Sequence, residues 1–535
     1  MPMPQKNRLI KTMLIANRAE IALRIQATSH ALGIKTIAIY SPEDQLASYV
    51  YRAHQAYKLS KSGFAGYLDQ EEIIAIALQA GADAIHPGYG FLSENSSFAQ
   101  RVVDAGMIWV GPSPDSIRLM GDKSTARDIM AQAGVPIVPG ITIDLSKKII
   151  DAGRTLRDAG LLRASATSED IKQDAKEQAL IIGYPVILKD PKSGGGKAMR
   201  RVDKPEDFDS AWNTVISEAA KLTGSTTLVL EKYITHGRHI EVQVAGDGKN
   251  FVHMYERECS IQRRHQKIIE EAPCVFLPPI IREQMHQAAV LAAQTVKYNN
   301  IGTVEFIVTP DQNFYFLEMN TRLQVEHSVT EMTTGIDLVA LQIAIAETNT
   351  LLLSQENITQ HAHAIQSRIY AENPAQKFAP STGIINNLAW PISPFARIDH
   401  DLDEGTEITP FFDPMIAKIT TWGTDRRQAI NNMCIALENT TIQGITTNIT
   451  LLKNILISNE FVTGDIHTQL LHNKQYFDTV CPPDTHDISQ NHDISEEIIG
   501  ALAVLLLEKT QTSSQQVQKI SQKSRHSSWK EQQWK

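Results

Sequence analysis

Two largely apolar runs flank the polar turn Pro310-Asp311-Gln312-Asn313, so residues 302–309 and 314–320 are expected to pair as antiparallel strands. Folding about Asp311 and Gln312 sets Ile307 opposite Phe316, Glu305 opposite Glu318 and Thr303 opposite Asn320. Beyond the second run, Asn320-Thr321-Arg322-Leu323-Gln324-Val325-Glu326-His327 alternates polar and apolar. An extended chain there puts Arg322, Gln324 and Glu326 on one side. The amino-terminal pattern differs: apolar runs at 12–16, 35–40, 84–86 and 107–111 alternate with helical segments, the first over 19–32 and ended by Gly33. That rhythm predicts a doubly wound parallel sheet. Its first strand-to-helix turn, Ala16-Asn17-Arg18-Ala19-Glu20, lacks a GxGxxG pattern, which disfavours a dinucleotide at that turn. Residues 141–182 are polar, charged and helix-prone; strands are expected at 184–189 and 226–233, with a glycine-rich loop at 193–197. Thr334-Gly335-Ile336-Asp337 opens a long apolar helix to about Glu347, and a third unit spans about 361–471 with a helix near 426–439. Beyond Cys481-Pro482-Pro483, residues 493–508 can form one helix. Residues 509–535, rich in Gln, Ser and Lys, are expected to be disordered when alone.

Composition narrows the possibilities. A chain of 535 residues with 42% apolar content is long enough for two to four domains with buried cores. The formal charge of −9, from 51 basic and 60 acidic residues without a strongly basic stretch, argues against a nucleic-acid partner. Cys259, Cys274, Cys434 and Cys481 are widely spaced, so neither a disulfide framework nor a zinc centre is expected and a reducing cytoplasm fits. The apolar run 13–16 is too short for a secretory signal, and the run 498–507 is half of a bilayer span. A soluble, cytoplasmic protein with no membrane partner is the expectation.

The charged positions suggest chemistry. Carboxylates of Glu305 and Glu318, facing each other among apolar neighbours, repel unless a cation lies between them. Mg²⁺ suits such an oxygen site and is often shared with nucleotide phosphates. Arg322, Gln324 and Glu326 offer a guanidinium, an amide and a carboxylate, a cradle for a small planar oxyanion with a base beside it. The loop containing Gly194, Gly195 and Gly196 is not a P-loop, and by itself a flexible hairpin tip is at least as good a reading. Combined with Lys123, Lys189 and Lys197 and the acidic pair, it fits ATP bound with Mg²⁺. The run Arg257–Glu271, which includes His265, reads as a charged surface helix or loop, with an anion-binding loop preferred. The compact turn His86-Pro87-Gly88-Tyr89-Gly90-Phe91 suits a ligand or a structural corner equally.

Several longer motifs carry a family resemblance: HPGYGFLSEN at 86–95, MGDK at 120–123, ECSIQRRHQK at 258–267, EEAP at 270–273, FLEMNTRLQVEH at 316–327 and FFDPMIAKI at 411–419. Over about residues 11–471 the chain resembles biotin carboxylases of the ATP-grasp superfamily. It is most similar to the α subunits of biotin-dependent acyl-CoA carboxylases of the propionyl-, methylcrotonyl- and acetyl-CoA types. The resemblance implies an α/β fold in four parts: an N-terminal doubly wound parallel-sheet domain at 1–122, an ATP-grasp domain at 123–350 with a mobile lid at about 141–236, a C-terminal mixed α+β domain at 351–478, and a tail at 479–535. It implies an ATP-dependent carbon–nitrogen ligase that uses Mg²⁺ (or Mn²⁺) and bicarbonate to carboxylate biotin, through carboxyphosphate.

The implied roles map onto single positions. Lys123 and Lys189 match phosphate lysines, Glu231 and Lys232 the adenine-holding strand, and His239, Gln262 and His265 ribose-side contacts. Gly194, Gly195 and Gly196 match the lid loop; Glu305, Glu318 and Asn320 match the metal site. Lys267, Arg322, Gln324 and Val325 match the bicarbonate pocket, Glu326 the general base, and Arg368 the arginine that steadies the biotin enolate; Tyr89 and Gly90 approach biotin. Departures from the family pattern are Lys192, Ser193, Ala198 and Ala19 in place of glycines, Ser328 and Gly237 in place of prolines, and Ser367 in place of a cysteine. No methionine follows Met433, so the methionine-flanked biotinyl lysine of the family is absent downstream. Biotin is therefore expected on a separate biotin carboxyl carrier protein or a missing part of a longer subunit. A carboxyltransferase subunit, docked by residues 493–508, and a homodimer are the other expected partners. A non-catalytic scaffold of the same fold, or another ATP-grasp carboxylate ligase, are the rival expectations.

Overall fold

The apolar run near the amino end folds as the strand Thr12–Ile15, centre of a five-stranded parallel sheet in a computed structural model that describes residues 9–145, 148–150, 168–191 and 198–482. The strand order is Gln55–Lys58, Lys35–Tyr40, Thr12–Ile15, Ala84–His86, Ile108–Trp109. Helices cover both faces, which is why the strands read as nearly unbroken apolar runs. The order reverses beside Thr12–Ile15, and a crevice opens at the carboxyl ends of strands at such a point. Two turns meet there. The Asn17 amide donates to the carbonyls of Pro87 (2.7 Å) and Tyr89 (2.8 Å). Gly88 (φ +64°) allows this approach, since a Cβ would stand 2.9 Å from the Asn17 nitrogen.

Ala19, at the start of the helix Ala19–Ala31, sits at φ +53°. A left-handed conformation costs an L-residue about 1–2 kcal/mol, and glycine gives back about 0.5–1 kcal/mol in chain entropy. Ala19→Gly is therefore expected to raise stability by about 0.5–1 kcal/mol, measured as a higher denaturation midpoint in urea. Ala198 shares the strain, at φ +47° and fully buried.

A second, antiparallel sheet runs Lys148–Ile150, Gly140–Asp144, Thr227–Lys232, Val186–Lys189, Met199–Val202. The helices Ser168–Ile182 and Phe208–Leu222 contribute to its core, where Ile141, Ile143, Leu228 and Leu230 meet Phe208 and Trp212. The helix-prone reading of residues 141–182 thus fails at its beginning. Ile141-Thr142-Ile143-Asp144 carries a short period-2 pattern that the polar composition further along obscured.

The third sheet has eight antiparallel strands, in the order Phe314–Asn320, Asn299–Val308, Arg238–Asp247, Phe251–Arg263, Gln266–Ala272, His363–Tyr370, Met415–Gly423, Ala396–His400. It passes without a break over residue 350, because Gln266–Ala272 pairs with His363–Tyr370. Glu271 reinforces that seam: its carboxylate takes His363 Nε2 at 2.8 Å and Arg426 at 2.7 and 3.1 Å. Burial opposes the charge, but these partners hold the group at about 2.

Two expectations about this sheet need correction. Glu305 does face Glu318 and Thr303 faces Asn320, but a bulge at Leu317 shifts the rest, so Ile307 faces Tyr315 and Phe306 faces Phe316. The charged run Arg257–Glu271 is neither surface helix nor loop. It forms the strands Phe251–Arg263 and Gln266–Ala272, joined by Arg264 (φ +50°) and His265 (φ +66°). Two left-handed residues make the tight hairpin turn usually signalled by Asn-Gly, which is missing here. Most of the charges are buried because they pair across strands, as in Arg238 with Glu258 (2.8 and 3.1 Å), while Arg264 and His265 are exposed at the turn.

Residues up to Cys481 form one compact unit. No single helix among the described residues is long and apolar enough to cross a membrane. Gly194, Gly195, Gly196, the helix expected at 493–508 and the tail beyond it lie outside the described residues.

Candidate active site

Strand register builds the site. Arg257, Glu241, Glu305 and Glu318 form one row across four neighbouring strands, and Gln243, Thr303 and Asn320 form the next. Three carboxylates in register would repel strongly; cations of the chain offset them. Lys267 places its ammonium within 2.5 Å of Glu241, 2.8 Å of Glu305 and 2.7 Å of Glu326. Arg257, fully buried, bonds Glu241 at 2.6 Å. Glu318, at the cleft edge, pairs with Lys123 at 2.8 Å. His239 Nε2 stands 3.0 Å from Glu305, and its Nδ1 meets the Gln262 amide at 3.0 Å.

Glu326 lies at the start of the helix His327–Thr334 and is fully buried. One carboxylate oxygen bonds Lys267 and the other bonds Arg368 (3.0 Å), whose Nε bonds Glu270 at 2.5 Å. Burial alone would push the Glu326 carboxyl up. Lys267, Arg368 and Arg257 outweigh it and hold the group well below the usual carboxylate range. Glu305 is held low in the same way by Lys267 and His239. Burial of Lys267 favours its neutral form, yet the three carboxylates keep it charged.

The segment before this helix is not an extended strand. Arg322 and Gln324 do stand together, with guanidinium to amide oxygen at 3.0 Å. Arg322 also bonds Asn320 Oδ1 (2.8 Å) and Glu94 (2.8 Å). A turn then closes between Gln324 and His327, and Glu326 swings toward Lys267 and Arg368 instead of continuing the row. The Val325 carbonyl accepts from Lys418 at 3.0 Å. Tyr89 lies beside this point with its ring under the Lys418 ammonium, while Gly90 sits on the exposed turn.

A cleft of about 810 Å³ lies between this sheet and the smaller one. Lys123, Lys189, Glu231, Lys232, His239, Gln262, His265, Lys267, Glu305 and Glu318 all line it. Its size is that of a small-ligand site. Lys189 pairs closely with Glu231, whose carboxylate is held low by Lys189 and Arg127 despite burial. Lys232 turns its ammonium to the carbonyls of Gly183 (2.8 Å) and Tyr184 (3.0 Å). His265 is exposed at the hairpin tip. Glu305, Glu318 and the Asn320 carboxamide offer oxygen donors from one hairpin, the set a hard divalent ion takes.

Several contributors escaped the sequence reading. Glu241 could have been found by the register argument that exposed Glu305 and Glu318, since the alternation His239, Glu241, Gln243 keeps all three on one face. Glu270 and Glu271 point to opposite faces of one strand and serve different partners. Arg257, Glu94 and Lys418 lay in the charged run or in family motifs, but no spacing showed their partners, which come from other segments.

A cleft between a large antiparallel sheet and a smaller five-stranded one, beside a doubly wound domain, is the ATP-grasp arrangement expected from the motifs. Comparisons with known proteins agree. Residues 9–117 match the family model for the biotin carboxylase N-terminal domain. Residues 154–354 match that for the carbamoyl-phosphate synthase L chain ATP-binding domain, and 366–473 that for the biotin carboxylase C-terminal domain. Biotin carboxylase 2 of Bacillus subtilis is 45% identical over 461 residues, covering 86% of this chain and 98% of that protein. The mitochondrial methylcrotonoyl-CoA carboxylase subunit alpha of Arabidopsis thaliana is 44% identical over 473 residues, 88% of this chain and 61% of that one. The chain thus spans about three fifths of the length of such α subunits. Among solved structures, the biotin carboxylase domain dimer of Hydrogenobacter thermophilus 2-oxoglutarate carboxylase, with MgADP, ADP and bicarbonate, superposes with a TM-score of 0.78 at 40% identity, covering 88% and 99% of the two chains. Biotin carboxylase of Campylobacter jejuni in a β-γ-ATP complex gives a TM-score of 0.78 at 40% identity, covering 86% and 98%. The chain belongs to the biotin carboxylase family.

Proposed function

We propose that this protein carboxylates biotin with ATP and bicarbonate, as the biotin carboxylase component of a biotin-dependent acyl-CoA carboxylase. The observation that carries the reading is Glu326 held between Lys267 and Arg368, with Lys267 itself lining a cleft whose walls also bear Lys123 and Lys189. Bicarbonate enters beside Lys267, Arg322 and Gln324. An added anion there competes for Lys267 and repels Glu326, and both effects raise the basicity of a carboxylate otherwise too acidic to take a proton. Glu326 accepts the bicarbonate proton, and the resulting oxygen nucleophile attacks the γ-phosphorus of ATP, releasing ADP. Lys123 and Lys189 neutralise the phosphates. A divalent ion held by Glu305, Glu318 and Asn320 would add positive charge at the phosphates. Carboxyphosphate breaks to CO₂ and phosphate; phosphate takes the N1 proton of biotin; N1 attacks CO₂ while Arg368 steadies the negative ureido oxygen. Tyr89 and Gly90 border the biotin side; His239, Gln262, His265, Glu231 and Lys232 border the nucleoside. No methionine-flanked lysine follows Met433 in these residues, so biotin is presented on a carrier protein or on a further part of a longer subunit. The α-subunit relatives support a carboxyltransferase partner, and the neighbour solved as a dimer supports self-association.

The test is ATP hydrolysis in the presence of Mg²⁺. It is expected to require bicarbonate and to rise with free biotin. A rate that responds to neither would favour a non-catalytic scaffold.

A further inference from the structure

Lys418 has no exposed surface, and its strand places it directly opposite Arg368 on one side and Asp399 on the other. Residues opposite each other on neighbouring strands project from the same face, so the row Asp399, Lys418, Arg368 lies beneath the site. Two adjacent cations in such a row repel unless each has its own acid. Arg368 has Glu270 and Glu326; Lys418 has Glu20 at 3.3 Å and Asp399 at 4.0 Å. The Lys418 ammonium also donates to the Val325 carbonyl at 3.0 Å and lies 5.5 Å from the centroid of the Tyr89 ring. Residues 20, 89, 325 and 399 thus converge on one buried charge, although they belong to the first helix, the turn at 86–91, the segment before Glu326 and the last strand of the large sheet.

The pair with Glu20 is poorly suited to a stabilising role. Both Glu20 carboxylate oxygens are buried and lack a well-aligned hydrogen bond, and burial pushes the group up to about 7 despite the nearby Lys418. Replacing a buried ion pair by neutral groups of similar volume is often neutral or favourable for stability. What such a replacement would remove here is the link between the Val325 carbonyl and the turn that carries Tyr89.

We propose that Lys418 is a positioning residue for the carboxylation site, fixing the Val325 carbonyl against the face of Tyr89 and so setting the place of Glu326 relative to the biotin side. The inference rests on the proposed function. Parental turnover tests that function, and the ratio of variant to parental turnover tests Lys418. The experiment compares Lys418→Met, Lys418→Arg and the double variant Glu20→Gln/Lys418→Met, reading kcat and the KM for ATP, bicarbonate and biotin. Misplacement of reacting groups by about 1 Å can cost about a hundredfold in rate. Both Met-containing proteins are expected to lose about that much kcat, with the KM for ATP unchanged because the nucleotide cleft lies on other residues. Lys418→Arg is expected to recover part of the loss. Parental kcat in the folded double variant would overturn the proposal. So would loss of ATP binding or of the fold in all three variants, which would make Lys418 a general structural residue.

Discussion

Glu326→Gln is expected to lower bicarbonate-dependent ATP turnover by about 10²–10⁴-fold while leaving the protein folded, since a positioned base contributes about that much. The glutamine keeps the shape and loses the charge. Its effect on folding follows from the local balance. Four buried carboxylates, Glu241, Glu270, Glu305 and Glu326, face the three cations Arg257, Lys267 and Arg368. Removing one acid brings these groups to neutrality, and Lys267 and Arg368 each keep a carboxylate partner. The melting temperature should therefore stay close to that of the parent. An unaffected rate would remove Glu326 from the role of base; a collapsed fold would show that its charge holds the site together.

Lys267→Met should act on stability and activity together. It deletes the ammonium shared by Glu241, Glu305 and Glu326 and leaves these carboxylates close together in a buried site. Breaking a buried charge pair costs about 3–5 kcal/mol. The pH dependence also changes sign. In the parent, Glu326 is held below its unfolded value, so its contribution is fully present above that value and constant toward alkaline pH. In the variant, burial without Lys267 raises the acids above their unfolded values. The folded state then binds more protons than the unfolded one, and stability falls as pH rises. Urea denaturation at pH 5.5 and pH 8 checks this: the variant should be the more stable at the lower pH, with turnover lost at both. Equal stability at the two pH values would mean that the carboxylates do not depend on Lys267.

Local pattern and local chemistry carried far. The apolar runs at 12–16, 35–40 and 84–86 can only be strands covered on both sides, because a continuous run has no solvent face. Facing Glu305 and Glu318 required a cation because buried like charges repel, although it is the bulge at Leu317, and not the turn alone, that brings the two opposite each other. The identity of the cations was not local. Lys267 and Lys123 come from other strands and helices, and no spacing near residue 305 announces them.

The segment 320–327 shows the same division. Its alternation suggested a strand, but the turn from Gln324 to His327 and the Lys418 bond to Val325 override it, aiming Glu326 at Lys267 and Arg368. The run 257–271 read best as an anion-binding loop, whereas pairing with Arg238, Glu241 and Glu326 buries most of it within two strands. By itself the sequence determined the alternation of strands and helices at the amino end, the hairpin carrying Glu305 and Glu318, the family and the residue types at the site, since these depend on near neighbours and on motifs. Only the tertiary structure decided which charge meets which. Burial makes each unpaired charge so unfavourable that pairing across distant segments, and not local preference, sets where those side chains point.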